Sequence, residues 1–292
     1  MSTHAPVIAA VDGSEHSLTA LAWAMEAARV RDMEVLAVHV RGESAVQPSP
    51  EYVPLPPQIV EELDDAVRER VLARAEGAAV PVTYSTVDGV PSRALAEAAA
   101  KAQLLVVGSR GLGGFAALLL GSTGRKLAAQ APCPVVIVPH AERTADRTDA
   151  ADRVVLGLAP DETADAVIDF AFTEAGRRGA ELQVVSTYLV PLTSLLVVGE
   201  MADSSTGAGD SLAAAQSARL APFTARHPSV RVAQVATAGD PAGRLVTASR
   251  SAALTVVGRH RRRLRPEALM MGSVTNAVLH HAHGPVVVVP GE

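Results

Sequence analysis

The sequence predicts two tandem, doubly wound α/β domains, each built on a five-stranded, mostly parallel sheet. Three observations predict it. First, the 292-residue chain repeats itself at an offset of about 150 residues. GVPSRALAEAAAKAQLLVVG at 89–108 lies over GDPAGRLVTASRSAALTVVG at 239–258, and LLLGSTGRKLAAQAPCPVVIVP at 118–139 over LMMGSVTNAVLHHAHGPVVVVP at 269–290. Second, each copy alternates short β-branched runs with longer amphipathic stretches, and parallel strands need such right-handed crossovers on both faces of a sheet. Third, each copy carries a glycine-bearing segment directly after an apolar run, at the carboxyl end of a strand, where open α/β sheets take their ligands.

In the first copy the elements read as strand 6–11, helix 16–31, strand 34–40, helix 58–75, strand 80–87, helix 92–101, strand 104–107, helix 122–130 and strand 134–138. The change of period separates them. Ile59, Leu63, Val67 and Val71 recur every four residues, as on one helical face, while LLVV and VVIV are the continuous apolar runs of strands buried on both sides. The second copy repeats the order as strand 153–158, helix 163–178, strand 181–187, helix 211–226, strand 230–236, helix 242–251, strand 254–257, helix 273–281 and strand 285–289. Segments 42–57 and 190–209 lack periodicity and read as matching loops after the second strand of each copy. The polar stretch 141–152 is the linker, so the domains are 1–140 and 153–292.

Composition bounds the function. The chain is 48% hydrophobic but only 3% aromatic, so its cores are aliphatic and stacking platforms for single-stranded nucleic acid are not evident. A net charge of −5 argues against a broad nucleic-acid surface. The single cysteine, Cys133, excludes an intrachain disulfide, and it reads as a small packed residue, because nothing nearby in sequence would activate it. No basic leader precedes the first apolar run, and no run is long enough to span a bilayer, so no membrane role and a reducing cytoplasm are expected.

The most informative stretch is VGSRGLGGFAALLLGSTG at 107–124, with the spacing Gly108-x2-Gly111-x9-Gly121-Ser122-Thr123. Ser122 or Thr123 opens a helix whose free N–H groups and dipole favour an anion. Gly121 lets phosphate approach the backbone, and Ser122 adds a hydroxyl. No Gly-Lys-Ser/Thr follows, so this is not a Walker A loop, and the G-x-G-x-x-G spacing of a dinucleotide fold fails.

With AAVDGS at 9–14 after the first strand, VHV at 38–40 ending the second, and this glycine spacing, the first copy resembles the universal stress protein family, over nearly the whole chain twice. The resemblance implies an ATP site, with or without Mg²⁺, at the carboxyl edge of the sheet. Its residues are Ala10 and Asp12, the latter on the nucleoside, Val40, whose backbone meets the adenine edge, Gly108 and Gly111 along the ribose and phosphate path, and Gly121, Ser122 and Thr123 on the phosphates. It also implies an internal pseudo-dimer in which Val135–Val138 and Val286–Val289 pair at their sheet edges, open to further homodimerisation. A protein partner is also expected, and the sequence does not name it.

The second copy keeps Gly258, Gly272 and Ser273 but places Ala159 where Asp12 stands and Arg261 where Gly111 stands, in a loop longer by one residue. A weaker or altered second site is expected there. The run Arg259 to Arg265 has three readings: a phosphate or nucleic-acid contact, a contact to an acidic partner, or a solvated loop. His280, His281 and His283 look metal-like, but adjacent histidines on a helix point apart and no acidic ligand accompanies them, so no metal is expected. The apolar stretch LVPLTSLLVVGEM reads either as a partner contact or as folded back on the sheet edge. No general base is evident, although Asp12 or Asp88 is a candidate to hold Mg²⁺ or to position water. The expected function is nucleotide-dependent regulation with at most slow ATP hydrolysis. The rivals are an ATP-cleaving or nucleotidyl-transferring enzyme and an interaction scaffold with decayed sites.

Overall fold

The computed structural model describes residues 5–42, 56–111, 120–140, 144–145, 152–188, 201–259 and 271–291. The chain divides into two compact units, Met1–His140 and Ala141–Glu292. In the first, β1 (Val7–Val11), α1 (Glu15–Arg29), β2 (Val35–Arg41), α2 (Pro57–Ala75), β3 (Val82–Asp88), α3 (Pro91–Ala98), β4 (Leu104–Gly108), α4 (Ser122–Gln130) and β5 (Val135–Val138) follow one another. The strand order is β3-β2-β1-β4-β5 and every pairing is parallel. The chain therefore winds outward from β1 in one direction, then crosses back to β4. The crevice between the carboxyl ends of β1 and β4 is the switch point where such sheets bind ligands.

The second unit repeats this with β6 (Arg153–Gly157), α5 (Asp165–Arg178), β7 (Glu181–Tyr188), α6 (Met201–Arg226), β8 (Val232–Ala238), α7 (Pro241–Ala248), β9 (Leu254–Gly258), α8 (Ser273–His281) and β10 (Val286–Val289). Its order is β8-β7-β6-β9-β10, again parallel, with the switch point between β6 and β9. Both sheets are lined by aliphatic side chains: Val7, Ile8, Leu104, Leu105, Val135 and Val136 in the first unit, and Val154, Val155, Leu156, Leu254, Val256 and Val287 in the second, are fully or almost fully buried, and the second unit adds the buried pair Phe172 and Phe223. No helix among the described residues is long and apolar enough to cross a membrane.

Three elements differ from the sequence reading. Helix α6 begins at Met201, inside the segment read as a loop. Its glycines mask the helical pattern, and Gly209 lies beside Tyr188 at the end of β7, where a Cβ would make only ordinary contact at 3.5 Å. Helix α2 buries Val67 and Val71, but Ile59 and Leu63 on the same stripe are 39% and 55% exposed, because the helix is held to the sheet along its later turns. Finally, α5 starts at Asp165, with a turn over 160–162 where α1 already has its capped first turn.

The copies also differ at one helix cap, with a measurable consequence. Val90 and Asp240 occupy the same backbone conformation before Pro91 and Pro241, at φ −73° ψ 120° and φ −72° ψ 124°. Only Asp240 accepts a bond, from the Gly243 N–H at 2.7 Å. Asp240→Ala is expected to destabilise the second unit by about 1 kcal/mol, and Val90→Asp to stabilise the first by a similar amount, read as opposite shifts of the urea midpoint.

Candidate functional site

The site begins where β1 ends. Asp12 Oδ1 accepts the Ser14 backbone N–H at 3.0 Å and the Ser14 hydroxyl at 2.6 Å, which folds the chain back into α1. Gly13 makes the turn at φ +79°, a left-handed conformation that few side chains tolerate. Ser14 then caps α1, accepting from the Ser17 N–H at 3.2 Å. One carboxylate oxygen is thus held by the turn. The other faces the glycine loop: a Cβ on Gly111 would stand 2.5 Å from Asp12 Oδ2. Residues far apart in sequence therefore meet across the β1–β4 crevice.

The glycines of this loop have different reasons. A Cβ at Gly108 would lie 2.8 Å from the His16 carbonyl oxygen, so this glycine lets β4 end against the first turn of α1. Gly121 is different. It precedes α4 at φ −69° ψ 157°, which any residue adopts, and the nearest described atom to a Cβ there is the Ser109 carbonyl oxygen at an ordinary 3.7 Å. Its N–H donates to that same oxygen at 2.8 Å, closing the loop. Packing among the described residues does not demand glycine at 121. Ser122, exposed, and Thr123, half-buried, open the helix, whose first-turn N–H groups have no partner within it. Ala10 and Val40 are half-buried on β1 and β2. Residues 112–119 lie outside the described residues.

Several neighbours were not legible in the sequence. His16, in the first turn of α1, and His140, just past the end of β5, approach to 5.9 Å between ring centroids. Arg41 grips Asp88 with two bonds of 2.9 and 3.1 Å at the ends of β2 and β3, so Asp88, named above as a candidate Mg²⁺ or water ligand, is engaged by a guanidinium. Behind the rim, Asp64 of α2 accepts the Tyr84 hydroxyl at 2.6 Å and the Thr86 hydroxyl at 3.0 Å, and lies 2.7 Å from His39 Nδ1. Since a carboxylate only accepts, the ring proton sits on Nδ1. No spacing rule reveals such a cluster, because its members come from three elements.

Burial alone would raise the Asp64 carboxyl, but the bonds from Tyr84, His39 and Thr86 together outweigh it and hold the group below its ordinary range. Burial, and then the bond to Asp64, push the Tyr84 phenol up. A carboxyl lowered in the folded state stabilises the fold above its unfolded pKa, about 4, and loses that contribution as pH falls through the folded value. Asp64→Asn is therefore expected to cost about 1–3 kcal/mol near neutral pH, with the gap to wild type closing under acid. Urea titrations at a series of pH values check this; a gap that widens on acidification would contradict the sign.

The second copy departs further than its sequence suggests. Ala159 leaves β6 with its N–H donating to the Thr163 hydroxyl at 2.9 Å, and α5 has no side-chain cap. Gly258 ends β9 and Gly272 precedes α8, with Ser273 exposed, as in the first copy. Between them, Arg259 takes the place of Ser109: each donates its N–H to the last residue of the neighbouring strand, Val289 and Val138 respectively. Arg259 is only 9% exposed, so this member of the arginine run is not part of a solvated loop. Arg261 and the rest of the run lie outside the described residues. Among the described residues, no three His, Cys, Asp or Glu side chains are grouped to hold a metal ion.

A duplicated, doubly wound α/β domain with a carboxylate and a glycine loop meeting at its switch point defines a narrow class. The model of the universal stress protein family matches residues 4–139 and 151–290, and the chain belongs to that family. A universal stress protein of Mycobacterium tuberculosis is 32% identical over 297 aligned positions, covering 97% of this chain and 96% of its own. One from Mycolicibacterium smegmatis is 30% identical, covering 99% and 98%. The crystal structure of a universal stress protein from Archaeoglobus fulgidus has the same fold, with a TM-score of 0.70 at 18% identity and full coverage of both chains.

Proposed function

We propose that the first copy binds ATP at the β1–β4 crevice and that the protein acts as a nucleotide-dependent regulator through conformation or association. The observation that carries this reading is the meeting of Asp12 Oδ2 with Gly111, beside a helix start at Gly121 where the described packing does not require glycine. A carboxylate suits sugar hydroxyls, and a backbone bare of side chains beside a helix N-terminus suits polyphosphate. In this reading Asp12 takes the nucleoside, the Val40 backbone the base edge, Gly111 the path between them, and Gly121, Ser122 and Thr123 the phosphates. Mg²⁺ accompanies ATP as its counter-ion. Asp88, the other candidate to position water, is engaged by Arg41, which supports a reading in which turnover is slow.

The second copy is read as the weaker partner, with a buried Arg259 directly after β9 and Ala159, two residues past the end of β6, in the place of Asp12. A reducing cytoplasm as the working location and pairing of the two copies as a pseudo-dimer belong to the same proposal. Separately expressed halves that associate in analytical ultracentrifugation support the pairing.

Native mass spectrometry after gentle purification tests the central claim. Bound ATP at one per chain supports it. Bound ADP with brisk turnover points to an enzyme instead, and a protein that neither carries nor takes up nucleotide is the scaffold.

A further inference from the structure

From the geometry behind the rim we infer that Asp64 is a positioning residue for the nucleotide site of the first copy, an inference that rests on the ATP reading above. Strand register supplies the link. His39 pairs with Val11 on β1 and with Thr86 on β3, so the next residues along the chain are Asp12, just past β1, and Val40 on β2. The carboxylate that gathers His39, Tyr84 and Thr86 thus ties β2 and β3 to α2 one residue beneath both ligand-facing positions. Three residues on, the same face of α2 presses Val67 onto the Asp12 turn, where a Cβ on Gly13 would meet Val67 Cγ2 at 3.1 Å. One helix face therefore braces β2 through Asp64 and the Asp12 turn through Val67.

The second copy separates this role from simple fold maintenance. Ser186 holds the register position of His39, and Gln234 that of Tyr84. Gln216 of α6 reaches across to the Ser186 hydroxyl at 2.9 Å and the Val184 carbonyl at 3.2 Å. That network is neutral and buried, and the sheet around it has the same order and register. Holding the helix to the sheet needs no ionised group. An ionised cluster in the copy that keeps Asp12 and Gly111 stiffens the rim against which a ligand must be aligned, since hydrogen bonds to a charged acceptor are the stronger and more directional kind.

The test grafts the neutral pair of Ser186 and Gln216 onto the first copy as His39→Ser and Asp64→Gln together, in the full-length chain. ATP affinity by isothermal titration is expected to fall about tenfold, with the urea midpoint falling less than in Asp64→Asn because the partners are changed together. An independent reading needs no fold-altering variant: the His39 imidazole signal of the wild-type protein, assigned with His39→Gln, is expected to shift as ATP saturates the site. Wild-type ATP affinity in the folded graft, or a His39 signal indifferent to bound ATP, overturns the positioning role. If wild-type protein itself takes up no ATP, the ATP reading fails first and this inference with it, so the two failures are told apart by the wild-type titration.

Discussion

Gly121→Val is expected to leave the protein folded and to weaken ATP binding by about a hundredfold or more, roughly 3 kcal/mol. The two halves of that result come from different observations. The fold tolerates the change because Gly121 has an ordinary extended φ and its nearest described neighbour would be 3.7 Å from a Cβ. Binding does not, because branched bulk at the residue before α4 stands where phosphate would approach the backbone N–H groups. Gly108→Ala is the contrasting control. Its methyl group would meet the His16 carbonyl oxygen at 2.8 Å, so the expected effect is a loss of stability of about 1–3 kcal/mol from overpacking. Isothermal titration and urea unfolding on both variants decide the matter. Undiminished ATP affinity in folded Gly121→Val removes this residue from the phosphate site.

Asp12→Ala should have the next largest effect, a loss of about 1.5–3 kcal/mol, or roughly ten- to a hundredfold in affinity, for one carboxylate hydrogen bond to a nucleoside hydroxyl. The variant also frees the Ser14 hydroxyl and N–H from Oδ1, so some stability is lost with it. Ser14→Ala separates the two effects, because it disturbs the turn and the α1 cap while leaving the carboxylate in place. Wild type is expected to bind one tight ATP per chain, with any second ligand weaker, because Ala159 offers no carboxylate at the position of Asp12. Equilibrium binding with labelled ATP gives both the stoichiometry and the affinity. Two equivalent tight sites would falsify the asymmetry between copies.

The sequence by itself determined what depends on near neighbours along the chain. The duplication, the order of strands and helices, the buried Val- and Leu-rich strands and the helix starts at Ser122 and Ser273 follow from period, propensity and turn residues, which act over a few residues. Where those signals conflict, local reading failed: Gly207 and Gly209 conceal the first turns of α6, and the stripe from Ile59 to Val71 is buried only in part. The tertiary structure alone decided which distant residues meet. Asp12 and Gly111 face each other because β4 crosses back beside β1. Gly108 is small because α1 begins there, Asp88 is held because Arg41 is its register partner, and Asp64 gathers donors 20 to 25 residues away on the two strands its helix connects. Each of these pairings is set by crossover topology and strand register, and neither is encoded in the spacing between the residues that come together.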